Sequence, residues 1–130
     1  MIEYTVTVCD NGDRFWVLNG ELHREDGPAM ENADGDRYWF LNGELHREDG
    51  PACEYANGNK YWFLNGKYHR EDGPACEFSD GYKYWYLNGE RLTEEEFLNK
   101  TKKHVIIIDG KEISVSEKSF NELKKSLSSH

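Results

Sequence analysis

Three histidines stand in the same local sequence. His23, His46 and His69 each open the run His-Arg-Glu-Asp-Gly-Pro-Ala. Histidine beside glutamate and aspartate invites a divalent metal site or general acid–base catalysis. The spacing argues against both. The histidines are 23 residues apart each time. In a regular β array, equivalent residues then lie at least two strand spacings apart, about 9–10 Å. Ligands of one zinc ion each lie about 2 Å from it, so these three do not converge on one ion. A site inside one unit is left with His23 and Glu25 or Asp26, a pattern that serves a turn equally well. Nucleophilic catalysis needs a unique constellation, and here every polar residue of the motif occurs three times. No Gly-rich phosphate loop follows a strand and opens a helix. The expectation is a chain without catalytic residues, metal or cofactor.

The cysteines, Cys9, Cys53 and Cys76, are odd in number and form no Cys-x-x-Cys. Cys53 and Cys76 take the place of Met30 in an apolar column, so they are expected to be buried. At roughly 10 Å apart they are too distant for a mutual disulfide. No N-terminal basic-then-apolar leader is seen, and no apolar stretch nears the ~20 residues of a membrane span. A reducing, cytoplasmic setting is the expectation.

The histidines belong to a larger recurrence. Phe15-Trp-Val-Leu-Asn-Gly, Tyr38-Trp-Phe-Leu-Asn-Gly, Tyr61-Trp-Phe-Leu-Asn-Gly and Tyr84-Trp-Tyr-Leu-Asn-Gly place Trp16, Trp39, Trp62 and Trp85 at 23-residue intervals. A fixed period of this kind marks a repeat architecture. The fourth copy runs into Glu90-Arg91-Leu92 instead of the His-Arg-Glu-Asp tract, as terminal repeats do. Asn-Gly between apolar runs is a strong hairpin signal. Glu-Asp-Gly-Pro supplies a second turn, and Asn11-Gly12, Asp34-Gly35, Asn57-Gly58 and Asp80-Gly81 supply a third. Residues 4–9 fill the place of the first strand. Across the Asn-Gly loop Leu18 is predicted to oppose Glu21, Val17 Leu22, Trp16 His23, and Phe15 Arg24. One face then carries Val17/Leu22, Phe40/Leu45 and Phe63/Tyr68. The other carries the Trp/His pairs, with each histidine expected to stack on its tryptophan and to bond a neighbouring carboxylate.

The Gly-x-x-x-Trp-x-x-Asn-Gly-x-x-His pattern at this period resembles MORN repeats, more closely the MORN-repeat-variant group. There an aromatic-Gly-Trp-x-x-Gly-x-x-His pattern defines a β-hairpin of similar length. The resemblance covers roughly residues 4–92. Typical units put Gly directly after the histidine, whereas here Arg-Glu-Asp-Gly-Pro-Ala follows. The resemblance implies an elongated, twisted, single-layer sheet that acts as a scaffold or a protein-binding surface. The near-identical Leu-Asn-Gly-x-x-His-Arg-Glu-Asp-Gly-Pro-Ala units also look like those of small phage and bacterial accessory proteins.

Beyond residue 92 the pattern changes. Thr93-Glu94-Glu95-Glu96 is a capping box, opening a helix to about Lys102. Val105–Ile108, Asp109-Gly110 and Lys111–Val115 read as a hairpin. Ser116 caps a second helix with Phe120, Leu123 and Leu127 on one face. The predicted fold class is mainly β: tandem antiparallel hairpin repeats over 1–92, with a small helix–hairpin–helix segment over 93–130. That segment is expected to cover an end of the array, with dimerisation or partner binding as its other use. A homodimer is therefore left open.

Charge points to the partner. Of a net −9, residues 1–92 hold 18 acidic against 9 basic side chains, and residues 93–130 hold 7 of each. An acidic array repels phosphates and anionic lipid headgroups, so neither direct nucleic-acid binding nor membrane binding is expected. The negative charge serves solubility, and Arg24, Arg47 and Arg70 beside Glu25, Glu48 and Glu71 read as a charge ladder. The functional alternative is an acidic stripe for a basic partner. The expected function is a non-enzymatic protein-binding module. Trp39, Trp62, Trp85 and Tyr84 would anchor the partner, and Glu48, Asp49, Glu71 and Asp72 would steer it. A narrower alternative is a phage-encoded inhibitor of a host defence or nucleic-acid-handling enzyme, acting by acidic mimicry or occlusion. A third is a ligand or carbohydrate binder that uses the aromatic ladder.

Overall fold

The computed structural model describes residues 3–128, a mainly antiparallel β structure with two helices. It divides into two compact units, Met1–Leu92 and Thr93–His130. In the first, β1 (Thr5–Val8) lies on β2 (Arg14–Leu18), which turns into β3 (Glu21–Leu22). Then come β4 (Met30–Glu31), β5 (Arg37–Tyr38), β6 (Phe40–Leu41) and β7 (Glu44–Leu45). The next stretch repeats that order as β8 (Cys53–Glu54), β9 (Lys60–Tyr61), β10 (Phe63–Leu64) and β11 (Lys67–Tyr68). The unit closes with β12 (Cys76–Glu77), β13 (Lys83–Leu87) and β14 (Glu90–Leu92).

The sheet runs β1-β2-β4-β5-β8-β9-β12-β13-β14, with β3 attached to β2. Its register decides its faces. Phe15, Met30, Tyr38, Cys53, Tyr61, Cys76 and Tyr84 stand opposite one another from strand to strand. The neighbouring rung is Arg14, Glu31, Arg37, Glu54, Lys60, Glu77 and Lys83. It alternates in sign at every step, so each charge has opposite charges on the adjacent strands, which is favourable in a sheet.

Short hairpins recur along the unit: β2–β3 and β13–β14 belong to this sheet, while β6–β7 and β10–β11 are separate two-stranded pairs. Each turns at Asn-Gly with both residues at positive φ (Asn42 at 51° and Gly43 at 79°, for example), the geometry of the type I′ turn that suits twisted strands. Adjacent hairpins are joined through the backbone. Arg24 N–H donates to Phe40 O, and Gly43 N–H to Leu22 O. The same bonds recur from Arg47 to Phe63, Gly66 to Leu45, Arg70 to Tyr86 and Gly89 to Tyr68. Tryptophan is the pivot between sheet and hairpin. Trp39 N–H donates to Ala52 O in the sheet (2.7 Å), and its carbonyl accepts from His46 N in the hairpin (3.0 Å). Side chains tie neighbouring turns as well: Asp13, Asp36 and Asn59 accept from the N–H of Ala33, Ala56 and Ser79.

The predicted pairs Val17–Leu22 and Leu18–Glu21 are present, but Phe15 does not oppose Arg24. Phe15 pairs with Met30, and Arg24 turns to the next hairpin at Phe40. After the His23–Trp16 backbone bond the chain leaves the strand, because the arginine folds back over the tryptophan.

No large side chain is fully buried among the described residues. The array is held instead by close-packed small residues and by aromatic edges. Ala29, Ala52 and Ala75 are wholly buried, with Cys53 and Cys76 beside two of them. Tyr38, Tyr55, Tyr61, Phe78 and Tyr84 form a chain of edge-to-face contacts, each with ring centroids 5.5–5.6 Å apart, the arrangement their quadrupoles favour. Burial raises the phenol pKa of Tyr55, Tyr61 and Tyr68.

Burial also pushes the Cys53 thiol up to about 12 and the Cys76 thiol to about 11. All three cysteines are free, and Cys9 is half-exposed. In the folded protein at pH 8, iodoacetamide should modify Cys9 first and the other two only as slowly as the array opens, since the thiolate is the nucleophile. Mass spectrometry of timed samples reads this directly. The linkage has a definite sign. The raised folded values favour the native state while the unfolded thiols are still protonated, below about 9. That contribution falls away as pH rises through 11–12. Equal labelling of all three cysteines in native buffer would contradict the burial.

In the second unit, α1 (Glu94–Thr101) begins with the capping box, Thr93 and Glu96 each accepting the other's backbone N–H. β15 (Lys103–Ile108) and β16 (Lys111–Ser116) form a hairpin about Asp109-Gly110. α2 (Glu117–Ser128) follows, with Ser119 N–H donating to the Ser116 hydroxyl, and packs against both strands.

Candidate interaction surface of the His-Arg-Glu-Asp loops

Each loop from histidine to alanine is built around its arginine. The guanidinium carbons of Arg24, Arg47 and Arg70 lie 4.0, 3.9 and 3.9 Å from the ring centres of Trp16, Trp39 and Trp62. The Nε of Arg47 donates to Asp49 at 3.0 Å, and its Nη1 to Pro51 O and to Glu54, both at 3.1 Å. Arg70 repeats this set with Asp72, Pro74 O and Glu77. Arg24 bonds Asp26 and Pro28 O. The expected histidine–tryptophan stack is thus replaced by arginine on tryptophan, a cation–π contact in which the planar fork also bonds its own loop. The Arg–Glu ladder is corrected too: each loop arginine pairs with the aspartate two residues on, not with the adjacent glutamate. Gly27, Gly50 and Gly73 have a role that turn chemistry does not suggest. A Cβ at any of them would stand 2.9 Å from the arginine Cζ.

The histidines link neighbouring units. Nδ1 of His23, His46 and His69 accepts the N–H of Asn42, Asn65 and Asn88 at 2.8–2.9 Å. An accepting Nδ1 places the proton on Nε2. Nε2 then points at Glu25, Glu48 and Glu71, 3.5, 3.5 and 3.3 Å away. No group of three or more His, Cys, Asp or Glu among the described residues is placed to hold a metal ion.

Of the residues expected to form the binding surface, the acidic ones are outermost. The side chains of Glu48, Asp49, Glu71 and Asp72 are 80–87% exposed. Trp39 and Trp62 are half-buried, with one ring face taken by arginine. Trp85 is half-buried as well and has no such arginine, because the fourth copy lacks the loop. Tyr84 lies on the opposite face, between Phe78 and the guanidinium of Arg91, and so does not share a surface with the tryptophans. A groove of about 610 Å³ runs between the first two loops. Trp39, Leu41 and His46 line it, together with Arg24 and Arg47 and the carboxylates of Glu25, Asp26, Glu48 and Asp49. The groove itself is not apparent in the sequence. Its one signal there is the conjunction of Trp and a His-Arg-Glu-Asp tract in adjacent copies.

The charge count of a loop is not neutral. One arginine faces both Asp49 and Glu54, and Glu48 stands beside His46, so carboxylates outnumber guanidinium groups around the middle loop. Such a surface favours cations through long-range attraction. No helix among the described residues is long and apolar enough to cross a membrane. Comparison with known protein families, with curated proteins and with solved structures finds no match.

Proposed function

We propose that the chain is a non-enzymatic binding module, a MORN-like array with a 23-residue period whose His-Arg-Glu-Asp loops receive a basic protein partner. The observation that carries this is the groove between loops, floored by Trp39 and rimmed by carboxylates whose charge the loop arginines only partly offset. Glu48, Asp49, Glu71 and Asp72 attract the partner. Trp39 and Trp62, half-buried beside the loops, supply apolar contact for the aliphatic stem of an inserted arginine or lysine. Tyr84 and the Tyr/Phe face take no part. An inhibitor of a nucleic-acid-handling enzyme is the special case in which the basic surface engaged is that enzyme's own phosphate-binding groove.

The test compares two variants of equal net charge. One carries Glu48→Gln, Asp49→Asn, Glu71→Gln and Asp72→Asn, which keep acceptor oxygens for the loop bonds. The other removes four carboxylates from the second unit: Glu94, Glu95, Asp109 and Glu112, each as its amide. Tagged proteins are used to capture partners from a lysate of the source organism at low and at high salt. The loop variant should lose about tenfold or more of the salt-sensitive capture, while the other retains it. Equal loss in both would mean bulk charge, not the loops, and would sink the proposal.

A further inference from the structure

The second unit, Thr93–His130, is smaller than the ~40 residues below which a domain usually needs a disulfide, a metal or another chain. It holds no cysteine. Its sheet has two strands, β15 and β16, and among the described residues each pairs only with the other. A lone hairpin is marginal in water. α2 packs on it, yet much of its apolar surface remains open. Val105 is 59% exposed and Ile107 70%, and Leu127 on α2 is 76% exposed.

The two outer edges differ. β16 carries Lys111, Glu112, Ser114 and Ser116 around Ile113 and Val115, so charged and polar residues of the kind that keep an edge from pairing run along its whole length. β15 opens with Lys103 and His104 and then presents Val105-Ile106-Ile107-Ile108. These are four β-branched residues in unbroken register, with no bulge, proline or charge among them. Natural edge strands carry such protection unless something pairs with them. Charge leaves this unit, and not the array, free to meet a second copy. Residues 1–92 carry the whole net −9, so two copies repel through their arrays, whereas residues 93–130 are neutral.

We infer that the chain forms a two-fold dimer in which the β15 edges of two copies pair antiparallel, making one four-stranded sheet. A two-fold axis at Ile106 sets Val105 opposite Ile107 of the second copy, and Ile106 opposite its own equivalent. The sequence of β15 is therefore complementary to itself, as an isologous interface requires. The dimer would carry two copies of the loop surface, and it stands or falls independently of what that surface binds.

Sedimentation equilibrium of the full chain over micromolar to submillimolar concentration tests this. The expected mass is twice that of the chain, falling to one on dilution and little altered by salt. Ile107→Lys and Val105→Lys change exposed side chains, so the circular dichroism should stay native while the mass halves at every concentration. Tyr82→Lys, at a 67% exposed residue of the array, should leave the dimer intact. Should either β15 variant lose native structure, hydrogen exchange of the unaltered chain decides instead: β15 amides should gain protection as concentration rises. A wild-type monomer throughout would overturn the inference. So would a dimer unaffected by both β15 lysines, a dimer broken by Tyr82→Lys, or growth beyond two copies.

Discussion

Arg47→Ala should lower the unfolding free energy of the array by about 3 kcal/mol, a large share of the ~5–15 kcal/mol that a domain has. The ion pairs contribute little of this. Asp49 is 87% exposed, and pairs of that kind are worth about 0–1 kcal/mol. The larger parts come from the half-buried side of the guanidinium. Its bond to the Pro51 carbonyl is charge-assisted, worth about 1.5 kcal/mol or more. Its stacking on Trp39 at 3.9 Å adds about 1 kcal/mol. Removing it also bares one face of the indole. The shift of the urea midpoint, followed by tryptophan fluorescence, measures the effect. Arg47→Lys separates stacking from charge. A lysine keeps the positive charge but not the planar fork, so it should recover less than half of the loss. Full recovery by lysine would restore the simple charge ladder as the explanation. Gly50→Ala provides a second check. Its backbone is not left-handed, so alanine there would ordinarily stabilise by about 0.4–1 kcal/mol. Because the new Cβ would meet the Arg47 Cζ at 2.9 Å, the sign should reverse.

The local turns and caps were legible in the sequence for a simple reason: each is decided by two to four neighbouring residues. Asn42-Gly43 tolerates positive φ without help from the rest of the chain, and Thr93 meets Glu96 within one helical turn. What happens between hairpins was less legible. The alternation Arg14, Glu31, Arg37, Glu54, Lys60, Glu77, Lys83 is plain once the register is known, but no local signal fixes that register. The arginine–tryptophan stack was missed for a related reason. Two-residue hairpin geometry carried the strand on past His23, and nothing within that hairpin says that Arg24 would leave it. The signal was nonetheless present in the Gly-Pro that follows Asp26. A glycine with ordinary φ is often there to admit a neighbour, and Gly27 admits the guanidinium. The carboxylates of Glu48, Asp49, Glu71 and Asp72 are exposed, because a turn that projects from a sheet leaves them little else to do. Which aromatics share their surface depends on face assignment: Tyr84 precedes Trp85 in β13 but projects from the opposite face.

Ala52→Leu should be comparably severe, again about 3 kcal/mol, at the upper end for overpacking. In a core of large side chains, an added isobutyl group is accommodated by rotamer changes of its neighbours. Here there are few to change, since no large side chain among the described residues is fully buried. Ala52 is wholly enclosed, and its own carbonyl accepts the Trp39 N–H at 2.7 Å. Room for a leucine therefore has to come from backbone separation, which breaks the bond at the pivot between sheet and hairpin. The loss should appear as a fall of ten degrees or more in the melting temperature, about 4–8 °C per kcal/mol at this size. Position tests the cause. Backbone bonds join each hairpin to the next, so the central Ala52→Leu cuts support on both sides. Ala75→Leu, nearer one end, should leave the units before it folded and give a smaller, broader transition. Equal melting of the two variants would mean that the array unfolds as one cooperative block. Ala52→Gly should cost only about 1 kcal/mol, through backbone entropy. If leucine proved as mild as glycine, the space around Ala52 would be larger than its burial implies, and packing of small residues would not be what holds successive units together.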